Sequence, residues 1–334
     1  MTTLRLMSVE RWTRASRVSG VAVTILVVIF AFGPLLFSAN MVDKLTTLFI
    51  YIMLAAMWNA LAGYAGLVSV GQQAFFGLGA YFAIQLAAHG LAPYPSLMVG
   101  ALLSGLFALP LSFFMLRLRG GEFSIGMWVV AEVLHLLVNL DKLVQGETGT
   151  SLISLNAYTP ESRRAYNYWL ALTAMVVLLV LIFAFLRSRL GASVQAIRDD
   201  EEAAASLGVR VLAAKRTIFV LAALGCAVAG TLWLATSITF QPKTNFGIQW
   251  TAYMIFMTLV GGLGTFEGPI IGAVLFFIVQ DQLGDIGVWY LVGLGVAAMA
   301  FAMFMPRGLW GAVEDKLGLQ LLPIGYRLRV KGEP

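Results

Sequence analysis

Residues 187–216, RSRLGASVQAIRDDEEAAASLGVRVLAAKR, form the longest polar island in a chain that is otherwise mostly apolar. Six basic residues (Arg187, Arg189, Arg198, Arg210, Lys215 and Arg216) surround four consecutive acids, Asp199, Asp200, Glu201 and Glu202. An island between two apolar runs of membrane length has to lie in water. Its basic excess puts that water on the cytoplasmic side. Locally the island reads as helix. Asp199 suits an N-cap or first-turn position, where the helix dipole favours negative charge. Ala203, Ala204 and Ala205 are strong helix formers, and Gly208 suits a helix stop. Arg198 and Glu202, four apart, are spaced to pair on one face. The pattern fits a solvated helix with no partner. It also fits a short knob, with a smooth alanine face and a terminal glycine, for a groove in another protein.

Outside the island, composition sets the class. The chain has 334 residues, is 60% hydrophobic and only 12% charged, with a mean hydropathy of +0.86. Those values describe an all-α polytopic membrane protein. The net charge of +5 raises the question of nucleic acid. No basic cluster is interleaved with base-stacking aromatics, so nucleic acid is excluded as a partner. The single cysteine, Cys226, lies in an apolar run and supports no disulfide framework.

Apolar runs fall at about 18–37, 44–62, 72–89, 95–116, 122–140, 167–186, 214–237, 248–263, 268–283 and 287–304. A crossing needs about 20 apolar residues, so ten spans are expected, some broken or re-entrant, with the short pair at 248–283 the least regular. The first run is longer than the ~7–15 residues of a signal-peptide core and no small-x-small cleavage site follows it, so it reads as an uncleaved span. The expected organisation is a cytoplasmic tail at 1–17, a membrane domain at 18–304 and a cytoplasmic tail at 305–334. The island forms the main inner loop and residues 141–166 the longest outer loop. Charge tests this. Seventeen of the 22 Lys and Arg residues fall on the inner side, and five (Lys44, Lys142, Arg163, Arg164 and Lys243) on the outer side. That asymmetry predicts N-in and C-in.

Two glycine-rich stretches stand out, GYAGLVSVGQQAFFGLG at 63–79 and GGLGTFEGPIIG at 261–272. Paired glycine-interrupted segments point to a transport site built on broken helices. They also suit tight helix packing. Ser69, Gly71, Gln72 and Gln73 in the first stretch are candidates for a substrate path. Glu132 and His135 join them, three apart on one helical face with Asn139 a turn further. A mid-bilayer charge costs at least ~2.5–3.5 kcal/mol unless paired or hydrated. Glu132 is therefore expected to face protein or a watery path, the alternative being a buried structural hydrogen bond. The 141–166 loop suits closure of a vestibule, docking of an outer partner or plain connection.

Catalytic chemistry is missing. There is no G-x-x-x-x-G-K-[ST] phosphate loop. Gly66–Gly71 fails as a nucleophile elbow because Leu67 replaces the required glycine. Asp285 stands alone, and two histidines with one cysteine make no metal set. No catalytic residue, no metal and no cofactor held by this chain are expected.

Five pieces, in order, carry a resemblance: GYAGLVSVGQQAFFGLGAY at 63–81, RGGEFSIGMWVVAEVLHLLVN at 119–139, AIRDDEEAAASLGV at 196–209, LVGGLGTFEGPIIGA at 259–273 and MPRGL at 305–309. Over about residues 45–310 the chain resembles the LivM-type permeases, membrane subunits of branched-chain amino-acid ABC importers. The resemblance implies a coupling segment in which Glu202, Ala203, Ala204 and Gly208 match an E-A-A-x-x-x-G core, framed by Arg198, Asp199, Asp200 and Glu201. It implies two ATP-binding cassette subunits that bind the ATP, a homologous second permease, an extracytoplasmic substrate-binding protein, surrounding membrane lipid and a place in the bacterial plasma (inner) membrane. Family members often read S-L-G-H where this chain has Ser69-Val-Gly-Gln72, and T-G-G where it has Thr148-Gly149-Thr150. These departures concern the cargo. Urea, short amides and aromatic acids are alternatives to branched-chain amino acids. Two other classes compete: a proton-coupled secondary transporter relaying through Glu132 and His135, and an intramembrane enzyme.

Overall fold

A computed structural model of the protein describes residues 7–10, 14–284, 287–317, 321–325 and 327–330. The readings of Arg5, Arg11, Asp285 and Lys331 fall outside the described residues. The helices are α1 (Arg14–Ala31), α2 (Gly33–Leu36), α3 (Ala39–Asn59), α4 (Gln73–Ala88), α5 (Pro93–Met115), α6 (Gly120–Asn139), α7 (Pro160–Leu186) and α8 (Arg189–Asp199). They continue with α9 (Glu201–Ser206), α10 (Val211–Ser237), α11 (Pro242–Asn245), α12 (Gln249–Gly261), α13 (Gly268–Leu283), α14 (Val288–Phe304) and α15 (Gly308–Leu317). Short strands β1 (Met7–Glu10), β2 (Thr150–Ser151), β3 (Thr239–Phe240) and β4 (Arg327–Val330) form two antiparallel pairs. β1 pairs with β4, bringing the two ends of the chain together, and β2 pairs with β3.

The chain is an all-α polytopic membrane protein. Lipid offers no hydrogen bonds to a backbone, so helices that satisfy their own are the workable form for these apolar runs. Among the described residues, six helical stretches are long and apolar enough to cross a bilayer: Ala39–Tyr64, Pro93–Met115, Gly120–Asn139, Pro160–Leu186, Val211–Ser237 and Trp289–Lys316. The last includes the break between α14 and α15. The other expected crossings correspond to shorter helices, α1 with 18 residues, α4 and α13 with 16 each and α12 with 13. One boundary moves substantially. α7 starts at Pro160, not 167, because Thr159 caps it by accepting the Ser162 N–H at 3.3 Å. The loop expected at 141–166 is shorter by that much.

α3 runs through the middle. Its flanks are apolar all round, as in a helix enclosed by others, and 89% of its apolar window is buried. It packs on α7, α10, α12 and α13, while α4, α5 and α10 pack closely on one another. Glycine permits that closeness. A Cβ at Gly79 of α4 would lie 2.6 Å from Ala227 O of α10, and one at Gly230 would collide with Phe76 O. Small residues let helix backbones approach where no hydrophobic drive separates helix from lipid.

Candidate functional site

The polar island folds as two helices. Ser188 caps α8 by accepting the Gly191 N–H at 3.3 Å. α8 stops at Asp199 because Asp200 is extended, with φ −157° and ψ 110°. Asp200 then caps α9, its Oδ1 accepting the N–H groups of Glu202 at 3.0 Å and Ala203 at 2.9 Å. The capping acid is therefore Asp200 and not Asp199. The expected Arg198–Glu202 pair is absent for the same reason, since the break at Asp200 takes the two residues off a common helix. Arg198 instead donates to its neighbour Asp199, Nη2 to Oδ1 at 2.8 Å.

α9 ends as Gly208 suggests. Gly208 has φ +85°, its N–H donates to Ala205 O at 2.9 Å, and Val209 N–H donates to Ala204 O at 3.1 Å. This pair of bonds is the Schellman stop. Ala204 is buried and Lys215, only 8% exposed, reaches Glu201 at 2.6 Å, which seats α9 on α10. Glu202, Ala203 and Ala205 face outward. So does Leu207, at 86% exposure, an apolar tip that the alanine pattern does not show.

Arg198 also ties the island to both glycine-rich stretches. Its Nη1 donates to Gly63 O at 2.8 Å, within the π-helical turn Ala60–Tyr64 that follows α3. Asn59 clamps the other stretch, accepting Gly264 N–H at 2.8 Å and donating to Thr265 O at 2.8 Å. A Cβ at Gly63 would stand 2.6 Å from Gly264 N, so the two stretches meet backbone to backbone. Asn59 was missed by sequence reasoning. Its signal is an amide standing at the end of a long apolar run.

The candidate path residues separate into two places. Ser69, Gln72 and Gln73 are fully buried. Ser69 O accepts the Trp58 indole N–H at 2.9 Å, and Ser69 Oγ accepts Gly71 N–H and Gln72 Nε2 at 3.3 Å each. Gln73 donates to Val70 O at 3.2 Å and accepts from Thr251 Oγ1 of α12. A Cβ at Gly71 would collide with Met127 O of α6. This group seals the junction of α3, α4, α6 and α12. Gln72 Oε1 has no partner among the described residues.

Glu132 and His135 sit on α6. The Glu132 side chain is 58% exposed, among the outward-facing Trp128, Val129, Val133 and Leu136. His135 is turned inward at 15% exposure. Its Nδ1 lies 3.3 Å from Glu132 Oε1 and its Nε2 2.9 Å from Glu147 Oε1, while its ring stacks on Phe246. Glu147 also accepts from Asn139 Nδ2 and, at 2.9 Å, from Lys243 N–H. Burial pushes the Glu147 carboxyl up, but the bonds from Asn139, Lys243 N–H and His135 outweigh it and hold the group below its ordinary range. Sequence reasoning missed Glu147, which lies in the loop while its helper residues stand on α6 and α11. The β2–β3 pair staples the same loop to the exit of α10.

The family model described as branched-chain amino acid transport system / permease component matches residues 40–306. The "High-affinity branched-chain amino acid transport system permease protein LivM" of Salmonella typhimurium is 29% identical over 322 residues, covering 88% of this chain and 76% of that protein. The "L-arabinose ABC transporter permease protein AraH" of Azospirillum brasilense is 28% identical over 146 residues, 41% of this chain and 42% of that protein. Among solved structures, "PsaBC from Streptococcus pneumoniae in complex with Fab" covers 87% of this chain and 99% of that chain, at TM-score 0.48 and 13% identity. With a match across most of its length, and helices to span a membrane several times, this chain belongs to the family of permease components of branched-chain amino acid transport systems.

Proposed function

We propose that this chain is the membrane-spanning subunit of an ATP-driven importer of branched-chain or other apolar amino acids. In this reading it crosses the bacterial inner membrane ten times, N-in and C-in. It pairs with a second, homologous permease to form the path. Two ATP-binding cassette subunits bind and hydrolyse the ATP, and an extracytoplasmic binding protein delivers the cargo. The pairing of β1 with β4 supports both ends lying on one side. The basic excess of the island supports that side being the cytoplasm.

The observation that carries the reading is the wiring of the island. α9 is a short helix capped at both ends, with Leu207 and Ala203 presented outward for an ATPase groove. Behind it, Arg198 holds Gly63 O, and Gly63 packs on Gly264. α8 and α9 are joined through Asp200 alone, so a push on α9 has a short route through Arg198 to the turn that ends α3 and the loop that precedes α13. Cargo with apolar side chains needs few strong polar contacts, which suits so apolar a membrane domain.

The test is uptake into vesicles that hold the chain with its ATPase, second permease and binding protein. Leu207→Glu should abolish assembly with the ATPase and ATP-dependent uptake, because Leu207 is exposed and its loss leaves the fold alone. Arg198→Ala should leave the complex assembled and ATP hydrolysis running while uptake falls. Uptake that persists without ATP or partners would sink the importer reading.

A further inference from the structure

We propose that the membrane-facing groove of α5 binds an anionic phospholipid, one acyl chain lying along the helix and the phosphodiester held by Arg216. The groove has a volume of about 700 Å³ and is lined by Phe82 of α4 with Leu103, Leu106, Pro110, Phe113 and Phe114 of α5. Its lining is almost wholly apolar. From Leu103 to Phe114 a helix rises roughly 16 Å at 1.5 Å per residue, close to half of a ~30 Å hydrocarbon core. The groove thus has the length of one leaflet.

Its island-side end is basic. The Arg216 guanidinium lies 3.9 Å from the centre of the Phe113 ring, the ring that closes the groove. Its Nε donates to Ser112 Oγ at 3.1 Å. These two contacts fix the side chain. Neither Nη group has a protein acceptor, and Arg216 has no acidic partner, among the described residues. A guanidinium left with both Nη groups at an apolar edge matches a phosphate bidentately. Arg117 and Arg119, in the turn directly after α5, add positive charge at the same end and also have no ion pair among the described residues.

The groove and the fork together select the occupant. A free phosphate would leave the apolar wall uncovered. A helix from another protein would need a carboxylate for Arg216 and would meet no hydrogen-bonding group along the groove. A phospholipid satisfies both parts, and basic sites at the inner membrane boundary recognise anionic head groups in this way.

Native mass spectrometry of the full chain, released from detergent micelles doped with phosphatidylglycerol or with phosphatidylcholine of identical acyl chains, tests the site. The intact chain should retain phosphatidylglycerol over phosphatidylcholine by roughly tenfold, or about 1.4 kcal/mol, because both lipids carry the phosphodiester but only choline sets a cation beside the Arg216 guanidinium. Arg216→Gln should erase that preference. Leu106→Trp, at an exposed groove position, should cut retention of both lipids while the melting temperature in lipid-free detergent stays unchanged. Equal retention of the two lipids by the intact chain would overturn the proposal. So would a preference that survives both substitutions, or chain dimers that form only as lipid leaves the groove, which would make it a protein interface.

Discussion

α3, with the turn that follows it, and α6 are nearly equal in apolarity, yet the apolar stretch of the first is 89% buried inside the protein and that of the second only 22%. Both carry polar residues. On α3, Trp58 and Asn59 point into the protein and are spent on backbone: Trp58 on Ser69 O, Asn59 on Gly264 and Thr265. On α6, Glu132 turns outward, and among the described residues its partner is His135. Hydropathy reports that a helix avoids water. It does not report whether the other solvent is protein or lipid. A polar residue in a helix enclosed by others is a clasp, whereas one on an open helix face is free to meet a partner or a cargo. Ser69, Gln72 and Gln73 belong with the α3 group, and Glu132 stands apart.

The sharpest way to break this contrast is Asn59→Ala. It leaves Gly264 N–H and Thr265 O without their partner, and each buried unmet group costs about 1–3 kcal/mol. The melting temperature in detergent should drop markedly, and an unchanged value would show that the clasp is unnecessary.

A smaller effect is expected at the C-terminal end of α6. The folded-state carboxyl of Glu147 lies below its ordinary value of 4.5. Its stabilisation is therefore fully present above that ordinary value and is lost as the pH falls through the lowered folded value. Glu147 is 47% exposed, so solvent screening limits the contribution to below about 1 kcal/mol. Thermal melts taken from about pH 6 down to about pH 3.5 should show the intact protein losing more stability than Glu147→Gln. Parallel losses would remove Glu147 from the knot.

The smallest effect on stability belongs to Glu132→Gln, within about 0.5 kcal/mol, as for exposed positions generally. Uptake by the assembled complex is the informative readout there. A large fall in melting temperature would place Glu132 with the clasps.

Much of the helical architecture was legible because an apolar run of about 20 residues has few options in lipid. The island's helices were legible from Ala203–Ala205 and Gly208. Their junction was not. Two adjacent aspartates, Asp199 and Asp200, compete for the cap, and only the extended backbone at Asp200 decides between them. Ser69 and Glu132 looked alike as polar residues in apolar surroundings. Glu147 was invisible because its partners, Asn139, His135 and the Lys243 N–H, come from elements brought together by the β2–β3 pair.

By itself the sequence determined that the chain is a multi-pass helical membrane protein, where its main polar island lies, and which family it resembles. These follow from composition and local order, which do not depend on neighbours. Tertiary structure alone decided that the two glycine-rich stretches touch, that Arg198 reaches Gly63 O, and that Arg216 lies on Phe113 at the end of a groove. Those contacts join residues far apart in the chain. Helix packing sets them, and one-dimensional periodicity carries no record of which face meets which.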